Sequence, residues 1–149
     1  MSGLSESFVT VKVKSVHFDI EGAKDVIEIF AIGKKSIRKD KLYIYYNEPV
    51  ETGMENTHTL LKIHDRKVTL TRMGEVKQKM EFIKGSCTHF EYQMPFGGIS
   101  MAVDTKELEI CEEGNHIDIK IEYILIINDH MHNMTKMHIK IEEDTKVGH

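Results

Sequence analysis

From Ile117 to Ile127 the chain alternates: Ile117, Ile119, Ile121, Tyr123, Leu125 and Ile127 are apolar, and Asp118, Lys120 and Glu122 stand between them. Ile124 and Ile126 break the rule near its end. A period of two residues is that of a strand with one face buried and one face wet. Shorter versions of the pattern mark strands at Phe8–Phe18, Asp25–Gly33, Lys41–Asn47, Asn56–His64, Lys67–Met73, Glu75–Lys84, Ser86–Met94, Gly98–Asp104, Lys106–Cys111, His116–Ile127 and Met131–Ile141. Turn-forming residues recur between them at the roughly 8–12-residue spacing of all-β sandwiches and barrels. Helical periodicity is absent from every long stretch, and only Gly22–Ile29 could manage a short turn of helix. The pattern predicts an all-β antiparallel barrel or sandwich, with residues 1–149 as one domain.

Register follows from the chemistry, because a slip of one residue turns every side chain onto the wrong face. In the last hairpin a three-residue loop, Asn128-Asp129-His130, pairs Ile127 with Met131, Ile121 with Met137, Ile119 with Ile139 and Ile117 with Ile141. Glu122 then meets Lys136 and Asp118 meets Lys140, pairs that each help by a few tenths of a kcal/mol, roughly. In the middle of the chain a loop at Asp65-Arg66 pairs Ile63 with Val68 and Leu61 with Leu70. A loop at Met73-Gly74-Glu75 pairs Leu70 with Gln78 and Val68 with Met80. A loop at Lys84-Gly85-Ser86 pairs Met80 with Phe90 and Gln78 with Tyr92, with Lys79 against Glu91 and Glu81 against His89 outside.

This threading turns Arg72, Gln78, Tyr92, Asn133 and Thr135 inward. Burying such groups without partners costs roughly 1–3 kcal/mol each, and more for a guanidinium. Two readings follow. Arg72 can reach out of the barrel mouth while water satisfies the rest, or the five can face a bound molecule.

The 149 residues suffice for a core without disulfides or metals. A formal net charge of −4 gives no footprint for nucleic acid. The basic cluster Lys34, Lys35, Arg38, Lys39 and Lys41 reads as a solvated turn. Met1–Ser7 is polar and unlike a signal peptide, and the apolar run Tyr123–Ile127 is too short to span a bilayer. Cys87 and Cys111 read as free thiols. The expected setting is therefore cytoplasmic, away from membranes and nucleic acid.

Leu42-Tyr43-Ile44-Tyr45-Tyr46, Arg72-Met73-Gly74, Phe82-Ile83-Lys84-Gly85, Phe96-Gly97 and His132-Asn133-Met134-Thr135 resemble, in their order and spacing, the YwiB-like family of small bacterial proteins. The resemblance runs from about Val11 to Ile141 and is weaker over Gly98–Cys111. It implies an antiparallel meander β-barrel of the calycin, lipocalin-like type, and it brings no activity with it. Arg72 and Asn133 fall on positions that match its motif residues. Calycin barrels commonly bind small hydrophobic molecules, an analogy of fold alone.

Other constellations read as ordinary surface or core. His130-Met131-His132 places one histidine in a loop and the other outward, opposite Ile126. Cys87 and His89 share an outer face but find no third catalytic member. Met80, Met94, Met131 and Met137 face inward and Met101 joins them, as adaptable core or as the wall of an apolar pocket. Outside, Ile124, Ile126, His132 and Met134 form an uncharged patch suited to a partner subunit or to cover by Met1–Phe8. The expectation is a non-enzymatic barrel, without cofactor or metal, that takes a small apolar or amphipathic ligand whose anionic end meets Arg72. The alternative is a structural or interaction module with a packed interior, whose outer patch makes a homodimer or another partner contact.

Overall fold

The structure is a computed structural model and describes residues 5–49, 52, 54 and 56–143. These form ten strands: β1 (Ser5–Asp19), β2 (Lys24–Arg38), β3 (Lys41–Asn47), β4 (Thr57–His64), β5 (Lys67–Gly74), β6 (Gln78–Phe82), β7 (Cys87–Met94), β8 (Gly97–Glu113), β9 (His116–Ile127) and β10 (His130–Glu143). All pairings are antiparallel, in the order β6-β5-β4-β3-β2-β1-β10-β9-β8-β7. The first strand lies against the last, from Val9 opposite Glu143 to Asp19 opposite Asn133. The sheet is a nearly closed barrel whose seam lies between β6 and β7.

The inward rows make the core. Ile44, Leu61, Phe82, Ile119, Ile121 and Ile139 are fully buried, each worth roughly 1.5–3 kcal/mol relative to exposure. Phe82 packs on Tyr123 with ring centroids 5.1 Å apart. Asp65-Arg66 (φ 52° and 62°) and Asn128-Asp129 (φ 50° and 66°) are two-residue turns in the left-handed region, whose twist matches that of the strands they join.

Several expectations change. The last loop has two residues, with His130 opposite Ile127 and Met131 opposite Ile126; a bulge between Met131 and Asn133 then restores the expected register from Leu125–Asn133 to Ile117–Ile141. The bulge leaves Met131 exposed instead of inward. β5 and β6 pair two residues away from the expected register, with Leu70 opposite Met80 and Arg72 opposite Gln78. The chain after Gly74 uses those extra residues to run beside β4, where Glu75 N donates to the Asn56 carbonyl, before it turns. Gly98–Asp104 and Lys106–Cys111 are one strand, β8, with a bulge between Thr105 and Glu107 instead of a turn. Gly22–Ile29 holds no helix, and β2 begins at Lys24.

The expected β6–β7 ladder is reduced to one bridge. Lys77 and Gln93 exchange backbone bonds of 2.9 and 2.8 Å, and Thr88 Oγ1 donates to the Glu81 carbonyl at 2.7 Å. The Gly85 and Ser86 backbone bonds instead to Thr105 of β8, which draws the start of β7 away from β6.

The patch of Ile124, Ile126 and Met134 is half-buried. Phe18 of β1 lies opposite Met134, while His132, the extra residue of the bulge, is exposed. Of the expected cover Met1–Phe8, Met1–Leu4 lie outside the described residues, and Ser5–Phe8 pair with Lys34–Ile37 of β2.

β2 accompanies β1 from Lys24 but meets β3 only from Gly33 onward, opposite Tyr46. A β-carbon at Gly33 would strike the Tyr45 carbonyl and sit 3.1 Å from the Tyr46 β-carbon, so the close approach of the two strands needs glycine. Gly33→Ala should lower stability by about 1–3 kcal/mol, as overpacking does, read from urea denaturation; an unchanged midpoint would refute this account of the crossing.

Candidate ligand cavity

The inner row of β3 runs Leu42, Ile44, Tyr46 and continues in phase to Glu48, just past the strand. Glu48 N donates to the Thr57 carbonyl at 2.9 Å, which holds the segment against β4 and leaves the carboxylate wholly buried. Its Oε2 accepts a hydrogen bond from the Thr59 hydroxyl and faces Arg72 Nε at 3.4 Å. That distance is long for a charge-assisted bond, so the pair is held by charge more than by hydrogen-bond geometry. Arg72 Nη1 donates to Gln78 Oε1 at 2.9 Å, and Gln78 Nε2 lies 2.8 Å from Met80 Sδ. Glu48 Oε1 has no hydrogen-bond partner among the described residues.

Tyr46 closes this cluster. Burial pushes its phenol well above the usual tyrosine range, the Glu48 charge adds to the rise, and Arg72 and Thr59 oppose it. The hydroxyl is therefore kept in its protonated form.

A second polar group sits where β1 meets β10. Thr135, fully buried, donates to Asn133 Oδ1 at 2.8 Å, so its oxygen accepts from His17, whose Nδ1 is 2.8 Å away. The network assigns the ring proton to Nδ1 in the neutral imidazole. Burial holds the His17 pKa below its ordinary 6.5; Asp25 pulls the other way, and His132 adds to the lowering. Tyr123 bonds the same Thr135 hydroxyl, and its phenol, raised first by burial, also feels the Arg72 charge.

Between the two groups lies a cavity of about 240 Å³. Its apolar wall comes from Val13, Ile27, Ile29, Leu70, Met80 and Met137. Ser15, His17, Tyr46, Glu48, Arg72 and Tyr123 supply the polar wall, and Thr52 and Met54 approach from the β3–β4 connection.

Of the residues singled out in the sequence, Arg72 and Gln78 are brought together, and so are Asn133 and Thr135. Arg72 alone of these five lines the cavity. Tyr92 stands apart: it is half-buried on β7 opposite Ile99, across the seam from Gln78. Sequence reasoning missed Glu48, which falls between the expected strands Lys41–Asn47 and Asn56–His64 and precedes Pro49, although the phase of Leu42, Ile44 and Tyr46 already pointed it inward. His17 and Ser15 were missed as well, though they continue the inner phase of Val9, Val11 and Val13.

A meander of ten antiparallel strands around a small, polar-ended cavity defines a β-barrel protein. The chain belongs to the family named domain of unknown function DUF1934, whose sequence pattern matches residues 11–139. It is 32% identical over 133 residues to the uncharacterized beta-barrel protein YwiB of Bacillus subtilis (strain 168), which covers 87% of this chain and 92% of that protein. The crystal structure of the ywiB protein from Bacillus subtilis superposes with a TM-score of 0.83 at 27% identity over 94% of both chains.

Arg72→Ala leaves the Glu48 carboxylate buried without its cation and should cost about 3–5 kcal/mol. Adding Glu48→Leu should recover much of that loss, a coupling readable in a double-mutant cycle by chemical denaturation. Additive losses would contradict the pairing. For His17 the folded pKa lies below the unfolded 6.5, so the unfolded chain takes the proton first as pH falls. Stability should decline as pH drops through 6.5, and His17→Gln should flatten that slope between neutral and mildly acid pH. An unaltered pH profile would dissociate His17 from it.

Proposed function

We propose that the barrel is a non-catalytic binding protein for a small, partly apolar molecule with one anionic end. The observation that carries this reading is the cavity itself: a continuous aliphatic and thioether wall that meets a buried guanidinium. Arg72 commits Nε to Glu48 and Nη1 to Gln78, and no described residue takes Nη2. That nitrogen is the natural donor to a carboxylate, and Arg72, Tyr46 and Tyr123 all line the cavity. Glu48 already offsets the charge of Arg72, which favours a monoanion over a more highly charged group such as a phosphate ester. The volume lies below the roughly 300–1,000 Å³ of drug-sized sites, which favours a short chain over a long lipid. Gln78, Asn133 and Tyr92, expected to orient the ligand directly, act from behind Arg72 and Thr135 or stand aside.

Thermal melts against a panel of short aliphatic and aryl monocarboxylates test the proposal. A ligand at a hundred times its Kd should add about 2.7 kcal/mol of stability, and Arg72→Lys should weaken that gain more than Asn133→Ala does. Failure of every acid to shift the melt, together with no small molecule released on denaturing the purified protein, would defeat it.

A further inference from the structure

The barrel has two long strands with a free flank, and the chain treats them in opposite ways. β8 loses its β7 partner after Asp104, opposite Cys87, and the flank that follows carries the exposed charges Lys106, Glu107, Glu109, Glu112 and Glu113. Charge of this kind is how sheets discourage another strand from adding to them. β2 is unprotected. Between Lys24 and Ile32 it pairs with β1, while its ladder with β3 starts only at Gly33. Among the described residues nothing pairs with that flank. On its outer face Val26 is 42% exposed, Phe30 52% and Ile32 67%, and on its inner face Ile27, beside the cavity, is 42% exposed. The segment holds no proline, and Glu28 is its one charge between Asp25 and Lys34.

We infer that this flank is the contact between two copies of the chain, joined by antiparallel pairing of β2 with β2 about a two-fold axis at Ile29. Register selects itself. Side chains on the same face must meet, so Ile29 faces its own copy, Ile27 faces Ala31, Val26 faces Ile32 and Glu28 faces Phe30. Centring the pair on Glu28 would oppose two like charges. Centring it on Phe30 would call on Lys34, whose flank β3 already occupies. The pairing on Ile29 uses only free backbone, opposes no like charges and gathers Val26, Phe30 and Ile32 of both copies into one covered patch. A second copy fits better than an unrelated segment because it supplies an edge of equal length and twist and satisfies both edges at once. Ile27 and Ile29 also line the cavity, so the added strand would lie along its wall. The contact does not depend on the ligand reading.

Analytical ultracentrifugation over a wide concentration range tests the inference, with Phe30→Lys/Ile32→Lys as the disrupting variant and Ile126→Glu, on a different face, as the comparison. The wild type should dimerise, the double variant should raise the dimer Kd by about tenfold or more, and Ile126→Glu should leave it unchanged. Hydrogen exchange of the wild type covers the case of a misfolded variant: protection of amides within 26–32 should rise with protein concentration. A wild type that stays monomeric throughout, a dimer indifferent to the double variant, or concentration-dependent protection confined elsewhere would each overturn it.

Discussion

Everything in this barrel rests on the pairing of the first strand with the last. β1 is bonded along both flanks, to β2 and to β10, and without the second ladder the ten strands would be two separate meanders. The closure is tied at one end by Lys35 of β2, which reaches over β1 to Glu143 of β10 at 2.9 Å, and this bond holds the Glu143 carboxyl below its usual range. Contacts between chain ends are the slowest to form, since loop closure must precede their reward. The curvature that brings His17, Thr135, Tyr123 and Arg72 around one space exists only once that ladder is complete.

Inside, apolar and polar demands divide along the barrel. One end is dry and packed with Ile44, Leu61, Ile119 and Phe82, where stability is generated. The other carries a buried carboxylate, a guanidinium and two phenols around a void, where stability is given up. A buried ion pair of this kind rarely repays the loss of its hydration. Its retention makes sense where a preorganised polar surface has a use, and Glu48 Oε1, without a hydrogen-bond partner among the described residues, belongs to the same uneconomical set.

The faces of the strands were legible because a two-residue period survives most errors of pairing. Ile117–Ile127 against Met131–Ile141 could be aligned from charge alone, since Glu122 with Lys136 and Asp118 with Lys140 agree with the apolar row. The β5–β6 slip of two residues kept every side chain on its proper face and only changed partners, which is why Arg72 and Gln78 were read as inward yet not as neighbours. Bulges were illegible. The one at Met131–Asn133 reverses the phase at the end of a strand, where too few residues remain to reveal it. The one after Thr105 makes a continuous strand look like two, because Asp104-Thr105-Lys106 is polar enough to pass for a turn. Glu48 was hidden by its proline neighbour. The free flank of β2 was invisible in principle, for alternation says which way side chains point and nothing about which backbone lies alongside.

The seam between β6 and β7 has one more implication, for the order in which the chain is threaded. Because the sheet runs β6-β5-β4-β3-β2-β1-β10-β9-β8-β7, its two outermost members are consecutive in sequence while its first and last strands, β1 and β10, are neighbours in its interior. A circularly permuted polypeptide, begun at Ser86 and ending at Gly85 with old head and tail linked, would lay down every strand beside the one made just before it. The natural reading frame thus places its starting point in the middle of the finished wall, and a rearranged gene could build the same vessel by purely local steps.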